Sequence, residues 1–145
     1  LAELQLYGER LQLFKGDISQ APFSSHLFSF ILDGDTRENS REVRRLLHPH
    51  GGIYFKGRNL NKSFVLQELP GSGNWTHQYH DPANTAASQD KIVKGPLAMR
   101  WFNDFDFFMP NRHGQAPAPL YLNGRMYIEG LDALVCIDAF NGRKL

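Results

Sequence analysis

Two acidic residues follow an apolar run early in the chain, at a position where acids could do chemistry. Residues 27–32 are apolar or β-compatible, and Asp33-Gly34-Asp35 follows them directly. Because the carboxyl ends of strands in an open α/β sheet face the ligand crevice, Asp33 and Asp35 could position a ligand or act as a general base. The same residues also form an ordinary turn. No nucleophile or cofactor loop accompanies them, so the turn is favoured and no catalytic residue is assigned.

Histidines are the second group of candidate functional residues. His77 and His80 are adjacent on one turn of a helix if that segment is helical, Asp81 follows directly, and His113 lies further along. Such a set could bind a metal ion. The neighbouring Gln, Tyr, Asp-Pro and Asn-Thr favour a loop instead, so we expect loop hydrogen bonding and predict no metal.

His48 and His50 flank Pro49 at the end of a predicted helix. A histidine there can bond the last helix carbonyls or interact favourably with the helix dipole, so neither residue requires a ligand. The sequence does not allow a Ser-His-Asp or Cys-His set to be assembled, because such sets are recognised by geometry.

Composition limits the function classes. The chain has 145 residues, 41% of them hydrophobic, and a net charge of +1, which gives no electrostatic case for nucleic acid or a membrane surface. No apolar run approaches the roughly 20 residues of a membrane helix. Cys136 is the single cysteine, which excludes a disulfide within the chain and leaves the redox compartment and the localisation open.

The first half of the chain has the element order of a parallel α/β sheet. The predicted elements are a helix tail at 1–8, a strand at 10–14, a loop at 16–23, a strand buried on both faces at 27–32, a helix capped by Asn39, a strand at 53–55 and an edge strand at 63–69. Val43, Leu46 and Leu47 form the apolar stripe of the helix, which His48-Pro49 ends.

This half resembles the second half of a class I S-adenosylmethionine-dependent methyltransferase. The resemblance rests on three stretches in order: Gly-Asp-Ile-Ser-Gln-Ala-Pro-Phe, Phe-Ser-Phe-Ile-Leu-Asp, and Glu-Val-Arg-Arg-Leu-Leu-His-Pro-His-Gly-Gly-Ile-Tyr-Phe. It implies that Asp17 accepts from the adenine amino group and that Ile18 borders the adenine ring. With Asp33, these are the predicted cofactor-binding residues. The Gly-x-Gly loop and the ribose-binding acid of the family are absent from this chain, so we expect S-adenosylmethionine to bind only a longer protein.

The second half predicts an all-β meander. Its apolar runs at 119–122, 125–128 and 133–137 are separated by turn signals, of which Asn123-Gly124 is typical of a tight hairpin. A further strand is predicted at 97–102, followed by an aromatic run at 105–110 that we expect to pack against a neighbouring blade. The meander has no predicted layer to cover its apolar face.

The meander resembles one blade of a pyrroloquinoline-quinone-like (PQQ-like, quinoprotein-type) β-propeller. Blades of that family end in a pattern close to Ala-x-Asp-Ala-x-Thr-Gly-x-x-x-Trp, whose tryptophan docks between neighbouring blades. Asp138, Ala139 and Gly142 match, Asn141 replaces the threonine, and Leu145 comes just before the expected tryptophan. Because propellers repeat this unit and here it occurs once, we expect a piece of a longer protein.

These observations predict an α/β plus all-β fold. An incomplete Rossmann-like methyltransferase segment would span residues 1–70, and the first-blade region of the propeller would span residues 71–145, after the linker-like Pro70-Gly71-Ser72-Gly73. The predicted role is interaction or scaffolding, with a protein partner or further blades as the partner. The alternatives are a methyltransferase whose cofactor-binding half lies upstream and a quinoprotein dehydrogenase with further blades.

Overall fold

Two small sheets make up most of the regular structure. The computed structural model describes residues 11–34, 40–57, 63–109 and 117–145. The elements are a 3-10 helix at Ile18–Gln20, β1 at Phe30–Asp33, α1 at Ser40–Leu46, β2 at Gly52–Lys56, β3 at Ser63–Leu66, β4 at Leu120–Leu122, β5 at Arg125–Glu129 and β6 at Leu134–Asp138. Within these residues the first sheet is mixed and the second is antiparallel, and no ladder joins them.

The mixed sheet has the order β1-β2-β3. β1 runs parallel to β2, and β3 runs antiparallel to β2. A parallel pair needs a crossover connection, which α1 provides here. The predicted strand–helix–strand order and the predicted edge strand are therefore confirmed, as a mixed sheet with one short helix.

The core of this sheet lies under α1. The predicted apolar stripe is confirmed, since Val43, Leu46 and Leu47 are almost completely buried. Val43 and Leu47 pack with Tyr54 of β2, and the partly buried side chains around them are Ile18, Ile31, Phe64 and Leu66. One face of the sheet is thus covered by the helix.

The opposite face of β1 is exposed, which differs from the prediction. Residues 27–32 were expected to be buried on both faces, but burial alternates along β1, and Phe30 and Leu32 remain 54% and 59% exposed. The physical reason is that α1 covers only the face that carries Ile31.

The strand predicted at 10–14 is also wrong for the residues that the structure describes. Residues 12–15 form no ladder, and Leu13 and Phe14 are largely exposed. The Phe14 ring instead contacts the Phe23 ring edge-on, with centroids 5.3 Å apart. The predicted helix tail at 1–8 and the Asn39 cap lie outside the described residues.

The antiparallel sheet contains the predicted meander. β4 pairs with β5 in the register Leu120↔Tyr127, and β5 pairs with β6. Asn123 and Gly124 connect β4 to β5 with φ angles of 49° and 79°. Positive φ at both positions is what a tight hairpin turn with the right strand twist requires, so the predicted hairpin is confirmed.

The apolar face of the meander is covered from within the chain, which corrects the expectation of an uncovered face. Trp101, Phe105 and Phe107 pack against a core formed by Ile128, Val135 and Ile137. Residues 97–102 reach this position without forming the predicted strand, and Phe102 remains 84% exposed. The aromatic run thus acts as a layer on its own sheet.

In the described parts of the chain, no helix combines the length and apolar character that a membrane span needs.

Candidate functional site

Of the residues predicted to hold a cofactor, Ile18 lies at an apolar groove of about 240 Å³ beside the mixed sheet. Ile18 lines this groove together with the rings of Phe23, Phe28 and Phe30. A flat apolar ring could insert among these side chains. Ile18 therefore lies at an apolar surface, and its predicted position beside an adenine ring stays a prediction.

The two predicted acids are placed differently. The Asp17 carboxylate caps the 3-10 helix and accepts a hydrogen bond from the Ser19 backbone N–H at 2.9 Å. At the end of β1, the Asp33 carboxylate accepts from the Tyr54 hydroxyl at 3.0 Å. Neither acid belongs to the described lining of the apolar groove. Both carboxylates therefore make contacts with their own chain, and the three predicted cofactor residues do not share one cavity.

A buried polar contact joins the two sheets. His48 Nε2 lies 3.0 Å from Asp138 Oδ1, and both side chains are largely buried. The same carboxylate oxygen accepts from the Phe140 backbone N–H at 2.8 Å. From the sequence, His48 could bond the last helix carbonyls or interact with the helix dipole, whereas the structure pairs it with a residue 90 positions away. Nothing in the sequence could have indicated this partner.

The Phe140 ring strengthens the same junction. It contacts the rings of His26 and His48 edge-on, with centroid distances of 5.8 Å and 5.1 Å. Next to it, the Asn141 amide donates to the Leu27 carbonyl at 3.3 Å. The turn after β6 therefore packs onto the segment between the 3-10 helix and β1.

Burial lowers the pKa values of two histidines at the junction. Burial lowers the pKa of His26 below its usual 6.5, although the ring hydrogen bond to the Leu47 carbonyl opposes this. Burial also lowers the pKa of His50, and the negative charge of Glu68 opposes it. Desolvation disfavours the charged imidazolium, so both rings are held towards the neutral form.

Trp101 packs closely on the turn that follows β6. Its indole N–H donates to the Ala139 carbonyl at 2.9 Å. The ring lies on Gly142, where an added Cβ would come within 2.6 Å of the Trp101 Cε3 atom. Gly142 also has a φ of 74°, which glycine adopts without strain. A side chain at this position would therefore displace the tryptophan.

The histidines considered for a metal lie in a hydrogen-bonded loop, as predicted. His80 Nδ1 lies 3.2 Å from Thr85 Oγ1, and His77 Nδ1 lies 2.9 Å from Thr76 Oγ1. The described residues contain no group of three or more His, Cys, Asp or Glu side chains that could hold a metal ion. His113 lies outside the described residues.

Comparisons of the chain with protein-family models, with curated proteins and with solved structures found no match.

Proposed function

We propose that this chain is part of a PQQ-like β-propeller repeat protein with a degenerate methyltransferase-like segment, and that its role is interaction or scaffolding. The observation that carries the proposal is the packing of Trp101 on Gly142. In the family that the meander resembles, the docking tryptophan follows the motif and lies between neighbouring blades. Here the indole of Trp101, from an earlier segment, lies on Gly142 of the matching Asp-Ala-x-x-Gly stretch. The partner is a protein surface or further blades.

The proposal divides the chain into residues 1–70 and 71–145. The parallel pair β1–β2 with its α1 crossover supports a Rossmann-like origin for the first part. The absence of the Gly-x-Gly loop and of the ribose-binding acid from the chain supports loss of cofactor binding, because both would anchor the cofactor through polar contacts.

Calorimetry with S-adenosylmethionine tests the proposal on the chain as it stands. We expect no saturable heat, corresponding to a Kd weaker than about 1 mM, because the polar anchors of the cofactor are absent from the chain. The matched control repeats the titration with the Ile18→Ala variant, which removes a side chain from the apolar groove.

Saturable binding tighter than that limit, weakened in the Ile18→Ala variant, would contradict the scaffold proposal. It would favour the second candidate, a methyltransferase whose cofactor-binding half lies upstream. The observation that favours this candidate is the apolar groove beside Ile18, which is of a size and character suited to an aromatic ring.

A further inference from the structure

A polar cleft runs between the two sheets, apart from the apolar groove. It has a wide lobe of about 560 Å³ and a narrow lobe of about 190 Å³. Both lobes are lined by His50, Asn123 and Arg125, so they are parts of one cleft. Gly124 of the hairpin turn makes the close approach possible, because an added Cβ would come within 3.0 Å of the His50 ring. We call this feature the inter-sheet cleft.

Two guanidinium groups line the narrow lobe. Arg125 at the start of β5 and Arg143 after β6 both contribute to it. Among the described residues, neither side chain has a hydrogen bond, an ion pair or a ring contact. Arginine carries its charge at any physiological pH, so two positive charges face this lobe, which the Asp138 carboxylate also lines.

The acids near the cleft are already engaged. The Asp138 carboxylate in the narrow lobe accepts from His48 and from the Phe140 backbone N–H. In the wide lobe, Glu68 accepts from the Ser72 hydroxyl at 3.2 Å. These hydrogen bonds leave both carboxylates charged, so in the narrow lobe two guanidinium groups face the Asp138 carboxylate. The donors open to a ligand are those two guanidinium groups and the ring of His50.

From this arrangement we propose that the inter-sheet cleft binds a small molecule carrying a phosphate or carboxylate group. Guanidinium groups match the planar pairs of oxygens in both anions and bind them through two parallel hydrogen bonds. Gln67 and Tyr127 line the wide lobe and would contact the polar body of such a molecule. The proposal does not depend on the role of the chain as a scaffold.

An NMR titration of the chain with sodium phosphate tests the proposal, with sodium acetate in a parallel arm and sodium chloride keeping ionic strength constant. We expect saturable shifts of the Asn123, Gly124 and Arg125 backbone amides in at least one arm. The arm with the tighter binding identifies the anion class.

Substitutions separate the cleft from general charge effects. Arg125→Gln and Arg143→Gln should each weaken binding about tenfold or more, because each removes charge-assisted hydrogen bonds. Arg41→Gln is the matched control, since it removes the same charge from the exposed side of α1. Both cleft arginines are exposed, and the amide spectrum of each variant reports directly on its fold.

The proposal is overturned if neither anion gives saturable shifts, or if the shifts are spread over the surface. It is also overturned if both cleft variants bind as tightly as the Arg41→Gln control.

Discussion

At the scale of single residues, histidines and one aspartate hold the two halves of the chain together. His48 contacts Asp138 across the junction, and His26 donates from its ring to the Leu47 carbonyl, provided that Nδ1 carries the proton. Asp138 is buried and the two histidines are partly buried, so their hydrogen bonds are costly to lose. Protonation of His26 or His50, whose pKa values burial lowers, is therefore expected to weaken the folded state.

The stability of the chain should fall as the pH drops from 7.5 to 5.5. Burial lowers the pKa values of folded His26 and His50 below 6.5, so the unfolded chain binds more protons just below that value. Their contribution is complete above about pH 6.5 and is lost as the pH falls through their folded pKa values. Urea unfolding at both pH values measures the difference.

Two variants test the origin of this pH dependence: one replaces His26, and the other is a control at an exposed histidine. His26→Asn should reduce the difference, since asparagine tolerates the left-handed backbone at φ 62°. His77→Asn should leave it unchanged, because His77 is exposed. Asp81 and Asp90 also have lowered pKa values, but their usual 3.8 places their effect at lower pH. Equal stability at pH 7.5 and 5.5 would contradict the account.

At the scale of elements, each sheet is stabilised by one covering layer. α1 covers the mixed sheet, and the segment around Phe105 and Phe107 covers the antiparallel sheet. A sheet of three strands needs such a layer to be stable in water. An irregular segment therefore does for the second sheet what a helix does for the first.

Removing the Phe107 ring tests whether this segment covers the antiparallel sheet. Phe107→Ala should lower the free energy of unfolding by about 2 kcal/mol, because Phe107 packs on the core of the antiparallel sheet. Phe108→Ala is the matched control and should change it by less than about 0.5 kcal/mol, since Phe108 is 81% exposed. Urea unfolding of the two variants measures both values. Equal losses would show that the segment does not cover the sheet.

At the scale of the whole molecule, local sequence patterns were sufficient to predict the helix and the hairpin, whereas contacts between residues far apart in the sequence could not be predicted. The helix stripe of Val43 and Leu47 and the Asn123-Gly124 turn depend on neighbours in sequence, so the sequence was sufficient for them. The contact of His48 with Asp138 depends on how the two sheets meet, which no local pattern records.

The residues predicted to bind a cofactor also show where prediction from the sequence fails. The resemblance implies that Ile18 borders an adenine ring, which stays a prediction, and it could not predict that Asp17 would cap its own 3-10 helix. Capping is a local alternative that short acidic side chains readily adopt. The face of β1 was misjudged because a run of apolar residues does not reveal how many layers cover it.

We propose that Trp101, which packs on Gly142, completes a blade-like unit, and a comparison of two glycine variants tests this packing directly. Gly57 has a φ of 67° with open space around it, so Gly57→Ala should cost only the left-handed strain, about 1 kcal/mol. Gly142→Ala adds a clash with the indole ring. The account predicts that Gly142→Ala lowers the free energy of unfolding by at least about 1 kcal/mol more than Gly57→Ala. Equal losses in the two variants would contradict it.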